Sequence, residues 1–181
     1  LCLRGAPALS AFRLAKLEER LWAGGLPDAH LTADLVHFAD LSRDLTAAEL
    51  AVLERLLRYG PAVEVGAEGG AGTGAGTAAE AAGKLLLVVP RPGTISPWST
   101  KATDIAQHCG LAAVTRLERG VAFYVDAPAP DDAALATAAA LLHDRMTEAV
   151  LLDLAEAEAL FAQAEPEPLG RVGLMAGGRD A

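Results

Sequence analysis

The stretch PRPGTISPWSTKATDIAQHCG, residues 90–110, carries the clearest fold signals in the chain. An apolar run at residues 85–89 precedes it and predicts a buried strand. Ser96 is suited to cap a helix, because its hydroxyl can accept a hydrogen bond from a free amide of the first turn. Pro97 fits the first helical position, and Gly110 fits the left-handed residue that follows the last turn. The stretch therefore predicts a strand, a turn and a helix.

The helix predicted within this stretch has one apolar side. Four residues at helical spacing form that side: Trp98, Ala102, Ile105 and Cys109. We therefore expect Cys109 to be a buried and unreactive thiol, and not a catalytic cysteine.

A polar cluster surrounds the start of the same helix. A helix N-terminus presents free amides and the positive end of a dipole, so it can bind a phosphate or a carboxylate. Capping explains Ser96, but it does not explain the whole cluster. Two interpretations stay open: a site for an anion or for docking against another domain, and a capped helix with solvated charges. The candidate residues are Arg91, Thr94, Ser96, Ser99 and Lys101.

The composition limits the classes of function. The 181 residues suffice for one domain with a sizeable core, and the scarcity of aromatic residues, 4%, argues against an all-β fold. The net charge of −9 without a basic patch makes nucleic acid an unexpected partner. Neither of the two cysteines has a disulfide or metal-ligand spacing. Without a signal peptide or an apolar run of membrane-spanning length, we expect a soluble cytoplasmic protein.

Outside the opening stretch, apolar periodicity indicates alternating strands and helices. Residues 1–60 follow a β-α-β-α pattern, in which Thr46 and Glu49 form a capping box. Residues 84–150 follow a β-α-β-β-α pattern. Its two later strands, 113–117 and 121–125, are expected to join in a hairpin at residues 118–120.

The last helix of the second half is expected to begin after Asp131 and to run as far as Ala149, with Met146 as core filling. The final strand of a β-α-β-β-α-β unit is then either missing or supplied from elsewhere. The predicted fold is therefore two ferredoxin-like β-α-β-β-α halves that share an antiparallel-rich sheet, with the helices on one face. A doubly wound parallel sheet is the alternative, and the predicted hairpin argues against it.

Two segments lack a core pattern. Residues 66–83 are rich in Gly, Ala and Thr, and predict a flexible surface loop. No apolar strand leads into this segment and no GK[ST] opens a helix, so it does not match a phosphate-binding loop. Residues 151–181 predict the start of a linker, after a domain that spans residues 1–150.

Several segments resemble the N-terminal region of the large, single-chain formylglycinamide ribonucleotide amidotransferases, also called phosphoribosylformylglycinamidine synthases. The longest are the opening stretch itself and HCGLAAVTRLERGVAFYV at residues 108–125. Other matching segments are LRGAPALSAFRLAKL near the start, LVHFADLS, VLERLLRYGPA and LLHDRMTEAV. Together they cover most of the chain to about residue 150, in the order found in the family. The sequence departs from the family pattern at Thr100, at Gln107-His108 and in a longer Gly/Ala-rich loop.

The resemblance implies the N-terminal domain of an ATP- and Mg²⁺-dependent ligase of purine biosynthesis, similar to a dimer of the small accessory subunit of split enzymes. The full enzyme would convert formylglycinamide ribonucleotide to its amidine with glutamine-derived ammonia. Its synthetase and glutaminase domains would follow this chain and be its partners. This segment would hold those domains together and support ammonia transfer between them.

The sequence offers no catalytic residue and no metal site in this segment, which is expected to be inactive alone and to need no cofactor of its own. His37 lies on a predicted strand, where a covered structural histidine is favoured over a functional one. An alternative of a different class is a free-standing ferredoxin-like module that binds a phosphorylated small molecule.

Overall fold

The computed structural model describes residues 1–59, 83–128, 130–162 and residue 169. The Gly/Ala-rich segment therefore lies outside the described residues except for Gly83. Most of the predicted linker, residues 163–168 and 170–181, lies outside them as well. The predictions for these two segments stay predictions.

Five strands form one sheet: β1 (Cys2–Pro7), β2 (His30–Leu41), β3 (Lys84–Pro90), β4 (Val114–Asp126) and β5 (Glu148–Leu151). Their spatial order is β1-β2-β4-β3-β5, and every neighbouring pair is antiparallel. The sheet excludes the doubly wound parallel alternative. Of the two edge strands, β1 has a register shift between Arg4 and Pro7, and β5 has only four residues.

Four α-helices connect the strands: α1 (Ala11–Ala23), α2 (Ala47–Leu56), α3 (Pro97–His108) and α4 (Asp132–Leu142). A 3₁₀ helix, Ala155–Leu160, follows β5. Each α-helix begins at a side-chain cap, and Thr46 and Glu49 form the predicted capping box of α2. Ser96 caps α3 as predicted, and Pro97 is its first residue.

The predicted hairpin at residues 118–120 is wrong. Strand β4 runs without interruption for 13 residues. Residues 118–120 pair with β2, in the register Glu118 with Phe38, Arg119 with His37 and Gly120 with Val36. A turn is not possible there, because the long β2 ladder holds this part of β4 extended.

The predicted long last helix is also wrong. Helix α4 ends at Leu142, and Met146 is 79% exposed. Asp144 accepts hydrogen bonds from the backbone N–H of Met146 and from the Thr147 hydroxyl, so it organises a tight turn. After this turn β5 pairs with β3, which gives the second half a final strand that the sequence pattern did not reveal.

The four α-helices cover one face of the sheet. Side chains alternate along a strand, so Leu31 and Ala33 of β2 pack beneath α1 and α4, and Ala39 packs beneath α2 and α3. The opposite face carries Phe38 and Tyr124, which pack against the 3₁₀ helix and its flanks. The α+β class and the ferredoxin-like halves with α-helices on one face are therefore confirmed.

Candidate functional site

The start of α3 faces a carboxylate that belongs to β4. The Ser96 hydroxyl donates to Glu118 Oε2 at 2.7 Å, and the Ser96 backbone N–H donates to Glu118 Oε1 at 3.2 Å. Ser96 Oγ in turn accepts from the Ser99 N–H at 3.0 Å. Glu118 is fully buried. The helix terminus, for which an anion or docking site was one of two open interpretations, therefore receives a negative charge from the chain itself.

Arg116 balances the buried carboxylate. Its guanidinium donates to Glu118 Oε1 at 2.6 Å and to the Thr94 carbonyl at 2.7 Å. The Thr94 hydroxyl donates to the Arg91 carbonyl at 2.6 Å. A buried carboxylate that is both paired and hydrogen-bonded avoids the cost of an isolated buried charge. This network fixes the turn between β3 and α3.

The five predicted site residues do not form one cluster. Thr94, Ser96 and Ser99 surround the network of Glu118. Arg91 is exposed, and its backbone N–H donates to the Thr147 carbonyl at 3.0 Å. Lys101 lies one turn further along α3, beside a pocket. Ser99 is 1% exposed, so its hydroxyl is not a surface docking group.

A pocket of about 190 Å³ lies between α2 and α3. We call it the α2–α3 pocket. Its walls are Leu57 and Tyr59 after α2, Trp98, Lys101 and Ile105 on α3, and Leu117 on β4, together with smaller apolar neighbours. Lys101 therefore lines the same pocket as Trp98 and Ile105, which belong to the predicted apolar side of α3. Ile105, which was expected to be buried, is 52% exposed at this pocket.

An aromatic and cationic cluster lies next to the pocket. The Arg119 guanidinium lies 5.1 Å from the Trp98 ring centroid and 5.9 Å from that of Tyr59, and it donates to the Tyr59 hydroxyl at 3.3 Å. These distances are those of cation–π contacts. His37 Nε2 lies 2.6 Å from the same hydroxyl. The cluster joins β2, β4, the end of α2 and the start of α3.

His37 is 1% exposed, which supports its interpretation as a covered histidine. Burial lowers the pKa of His37 to about 4, and the positive charge of Arg119 acts in the same direction. The nearby backbone of Leu3 opposes both effects on this pKa. His37 is consequently neutral at physiological pH. The sequence did not predict that Tyr59, Trp98 and Arg119 meet around His37, because these residues are far apart along the chain.

The prediction that Cys109 is buried is wrong. It is exposed, because α3 ends at His108 and Cys109 is its C-cap residue.

Within the described ranges, no three His, Cys, Asp or Glu residues are grouped so that they could hold a metal ion. None of the helices in the same ranges combines the length and the apolar character needed to cross a bilayer.

The sheet, its covering helices and the basic, aromatic pocket define an α+β domain that has a candidate binding surface. A family model described as formylglycinamide ribonucleotide amidotransferase N-terminal matches residues 34–161. The match covers well over half of the chain, from within β2 to the end of the 3₁₀ helix. The chain therefore belongs to this family, which is the N-terminal domain of a purine-biosynthesis amidotransferase.

Proposed function

We propose that this chain is the N-terminal domain of the ligase that forms formylglycinamidine ribonucleotide from formylglycinamide ribonucleotide, ATP and glutamine. The family match over residues 34–161 carries this proposal. In the full enzyme, which we place in the cytoplasm, a glutaminase domain releases ammonia and a synthetase domain uses it. ATP and Mg²⁺ act in the synthetase domain. The N-terminal domain docks both domains and supports the transfer of ammonia between them.

Two features of the domain support a docking role. The ion pair of Glu118 and Arg116 stabilises the β3–α3 turn. Glu118 is fully buried, so a substrate cannot reach its carboxylate. The α2–α3 pocket, in contrast, opens beside the exposed side chains of Lys101 and Ile105. A rigid sheet with an accessible pocket between two helices suits contact with a neighbouring domain.

The test measures the synthesis of formylglycinamidine ribonucleotide with glutamine and, separately, with added ammonium. We expect the purified 181-residue chain to be inactive with both. An enzyme that lacks this chain should lose most of its glutamine-dependent rate and keep more of its ammonium-dependent rate. Adding the chain back should restore the glutamine-dependent rate. ATPase or glutaminase activity in the chain alone, or an unchanged rate without it, would contradict the proposal.

A second candidate function is a free-standing module that binds a phosphorylated small molecule. Two cations favour it, because Lys101 lines the α2–α3 pocket and Arg119 contacts the rings of Trp98 and Tyr59, which are two of its walls. The start of α3 does not favour it, since Glu118 already occupies that terminus. Titration calorimetry with ribose 5-phosphate decides: saturable binding that Lys101→Ala abolishes supports the second candidate, and no heat of binding excludes this ligand.

A further inference from the structure

The α2–α3 pocket has the size of a side chain. Its volume of about 190 Å³ is below the ~300–1,000 Å³ that is usual for small-molecule sites. Apart from Lys101, the residues that line it present leucine, alanine, isoleucine and aromatic surface. A single large apolar side chain would fill this volume and would remove the exposed part of Ile105 from water.

Two cations next to the pocket lack a carboxylate partner in the described ranges. Arg119 contacts only rings and the Tyr59 hydroxyl, and Lys101 forms no ion pair there. Three other arginines of these ranges do pair with a carboxylate: Arg4 with Asp34, Arg43 with Glu49, and Arg116 with Glu118. A guanidinium that is held on two aromatic rings is pre-organised to receive a carboxylate.

We propose that the α2–α3 pocket receives a large apolar side chain from a segment of another domain of the same enzyme, and that a neighbouring carboxylate of that segment pairs with Lys101 and Arg119. This inference rests on the proposed docking function. The acidic excess of the chain lies in residues 126–181, which hold 11 acidic and 3 basic residues, whereas residues 1–125, with α2 and α3, hold 13 acidic and 12 basic residues. Lys101 and Arg119 give the surroundings of this pocket a positive charge that attracts an acidic segment.

The chain's own C-terminal part is a poorer occupant. The 3₁₀ helix Ala155–Leu160 packs on the sheet face opposite to the α-helices. A segment that continues from it would have to pass around the sheet to reach α2 and α3. A single side chain with an adjacent carboxylate, presented by a docked domain, meets no such obstacle.

The test places a photo-crosslinking residue at the pocket of the full-length enzyme, with the substitution Ile105→p-benzoylphenylalanine. Phe12→p-benzoylphenylalanine is the control, because Phe12 is 69% exposed on α1. Mass spectrometry identifies the linked peptide. We expect a peptide outside residues 1–181 that has a large apolar residue and an Asp or Glu within one helical turn of it, and no such peptide from the control.

Charge reversal sharpens the test. Lys101→Glu should reduce the yield of this crosslink about tenfold, because it replaces attraction of the carboxylate by repulsion. Lys16→Glu makes the same change of net charge on α1, and it should leave the yield unchanged. Thermal unfolding of each variant verifies that the domain is folded. An equal yield with both variants would overturn the proposal.

Other crosslinks would overturn it as well. They are crosslinks into residues 60–82 or 163–181, into a second copy of the chain, or into a basic segment. The absence of any specific crosslink would also overturn the proposal. The rate with glutamine, measured on the same enzyme, separates this inference from the proposed function. If the glutamine-dependent rate is normal but the expected crosslink is absent, the proposed docking site is refuted and the proposed function is not. An enzyme that makes no formylglycinamidine ribonucleotide contradicts the function, whatever the crosslinks show.

Discussion

Glu118 joins the start of α3 to the middle of β4 through a single buried carboxylate. It accepts from the Ser96 hydroxyl and the Ser96 N–H, and it pairs with Arg116. Removing one partner of such a pair leaves the other charge buried without compensation, which is more costly than replacing both. The stability of the β3–α3 turn therefore depends on this side chain.

We expect Glu118→Ala to lower the free energy of unfolding by about 3–5 kcal/mol, because Arg116 and the Ser96 N–H lose their acceptor. Urea unfolding at neutral pH measures the loss. Glu19→Ala is the matched control, since Glu19 is exposed on α1 and should change stability by less than about 0.5 kcal/mol. A similar, small loss in both variants would show that the pair does not stabilise the turn.

The lowered pKa of His37 should make the stability of the domain depend on pH. Its pKa is about 4 in the folded chain and near 6.5 when unfolded. Between these values the unfolded chain takes up a proton at His37 and the folded chain does not. The free energy of unfolding therefore falls as the pH falls through this window. His37 alone should make the domain about 2 kcal/mol less stable at pH 5 than at pH 7.5.

The comparison of the wild type with His37→Gln isolates this contribution. Urea unfolding at both pH values should show a smaller loss of stability in the variant, because glutamine takes up no proton. An NMR titration of the His37 ring adds a direct measurement, in which no protonation is expected above pH 5. Equal losses in both proteins, together with a ring that titrates near pH 6.5, would refute the predicted dependence.

Contacts between residues that are close in the sequence could be predicted, whereas contacts between distant residues could not. Ser96 was predicted as a cap because its partner, the Ser99 amide, is three residues away. Glu118 was not predicted as its second partner, because the two are 22 residues apart and Glu118 was assigned to a turn. Tyr59 and Arg119 meet across 60 residues, and no local pattern could bring them together.

At the level of elements, β4 shows how a local turn signal can be overridden. Glu-Arg-Gly at residues 118–120 is a typical turn sequence, yet β2 is 12 residues long and pairs with β4 on both sides of it. The alternation of Leu117, Arg119 and Val121 on one face continues through the supposed turn. Because Arg119 is charged, the sequence shows no apolar alternation across residues 117–121 that would have indicated a single strand.

Gly120→Ala tests whether this segment is a strand. A Cβ at position 120 would lie 2.8 Å from the Val88 backbone oxygen, and a backbone atom of the sheet cannot move away cheaply. We expect a loss of about 1–3 kcal/mol in urea unfolding. Faster amide exchange should accompany it at Val88 and Val121, which face each other in the register. A fully tolerated alanine would contradict the close packing of β3 on β4.

At the level of the whole molecule, alternation of strands and helices was enough to predict the α+β class. Periodicity could not predict β5, because four residues are too few to show a period and the alanine-rich stretch before it continues a helical pattern. It also gave no sign that the sheet face opposite to the α-helices would be covered. Ala157 and Leu160 cover that face, and both lie in residues 151–181, which were predicted to be a linker.

The 3₁₀ helix should therefore be part of the folding unit. Ala157 and Leu160 are 1% exposed against the second sheet face, beside Phe38 and Tyr124. A chain that ends at residue 154 should lose about 4 kcal/mol or more of stability relative to one that ends at residue 162, because this apolar surface returns to water. Thermal and urea unfolding of the two truncations measure the difference. Equal stabilities of the two truncated chains would support the predicted domain boundary at residue 150.

The two edges of the sheet restrict how this domain can meet its neighbours. The irregular register of β1 and the shortness of β5 leave little regular ladder to which a strand from another molecule could be added. Recruitment through backbone hydrogen bonds, which is tolerant of side-chain identity, is thereby disfavoured. A contact through the helical face would instead depend on side-chain shape and charge, which differ from one partner to another.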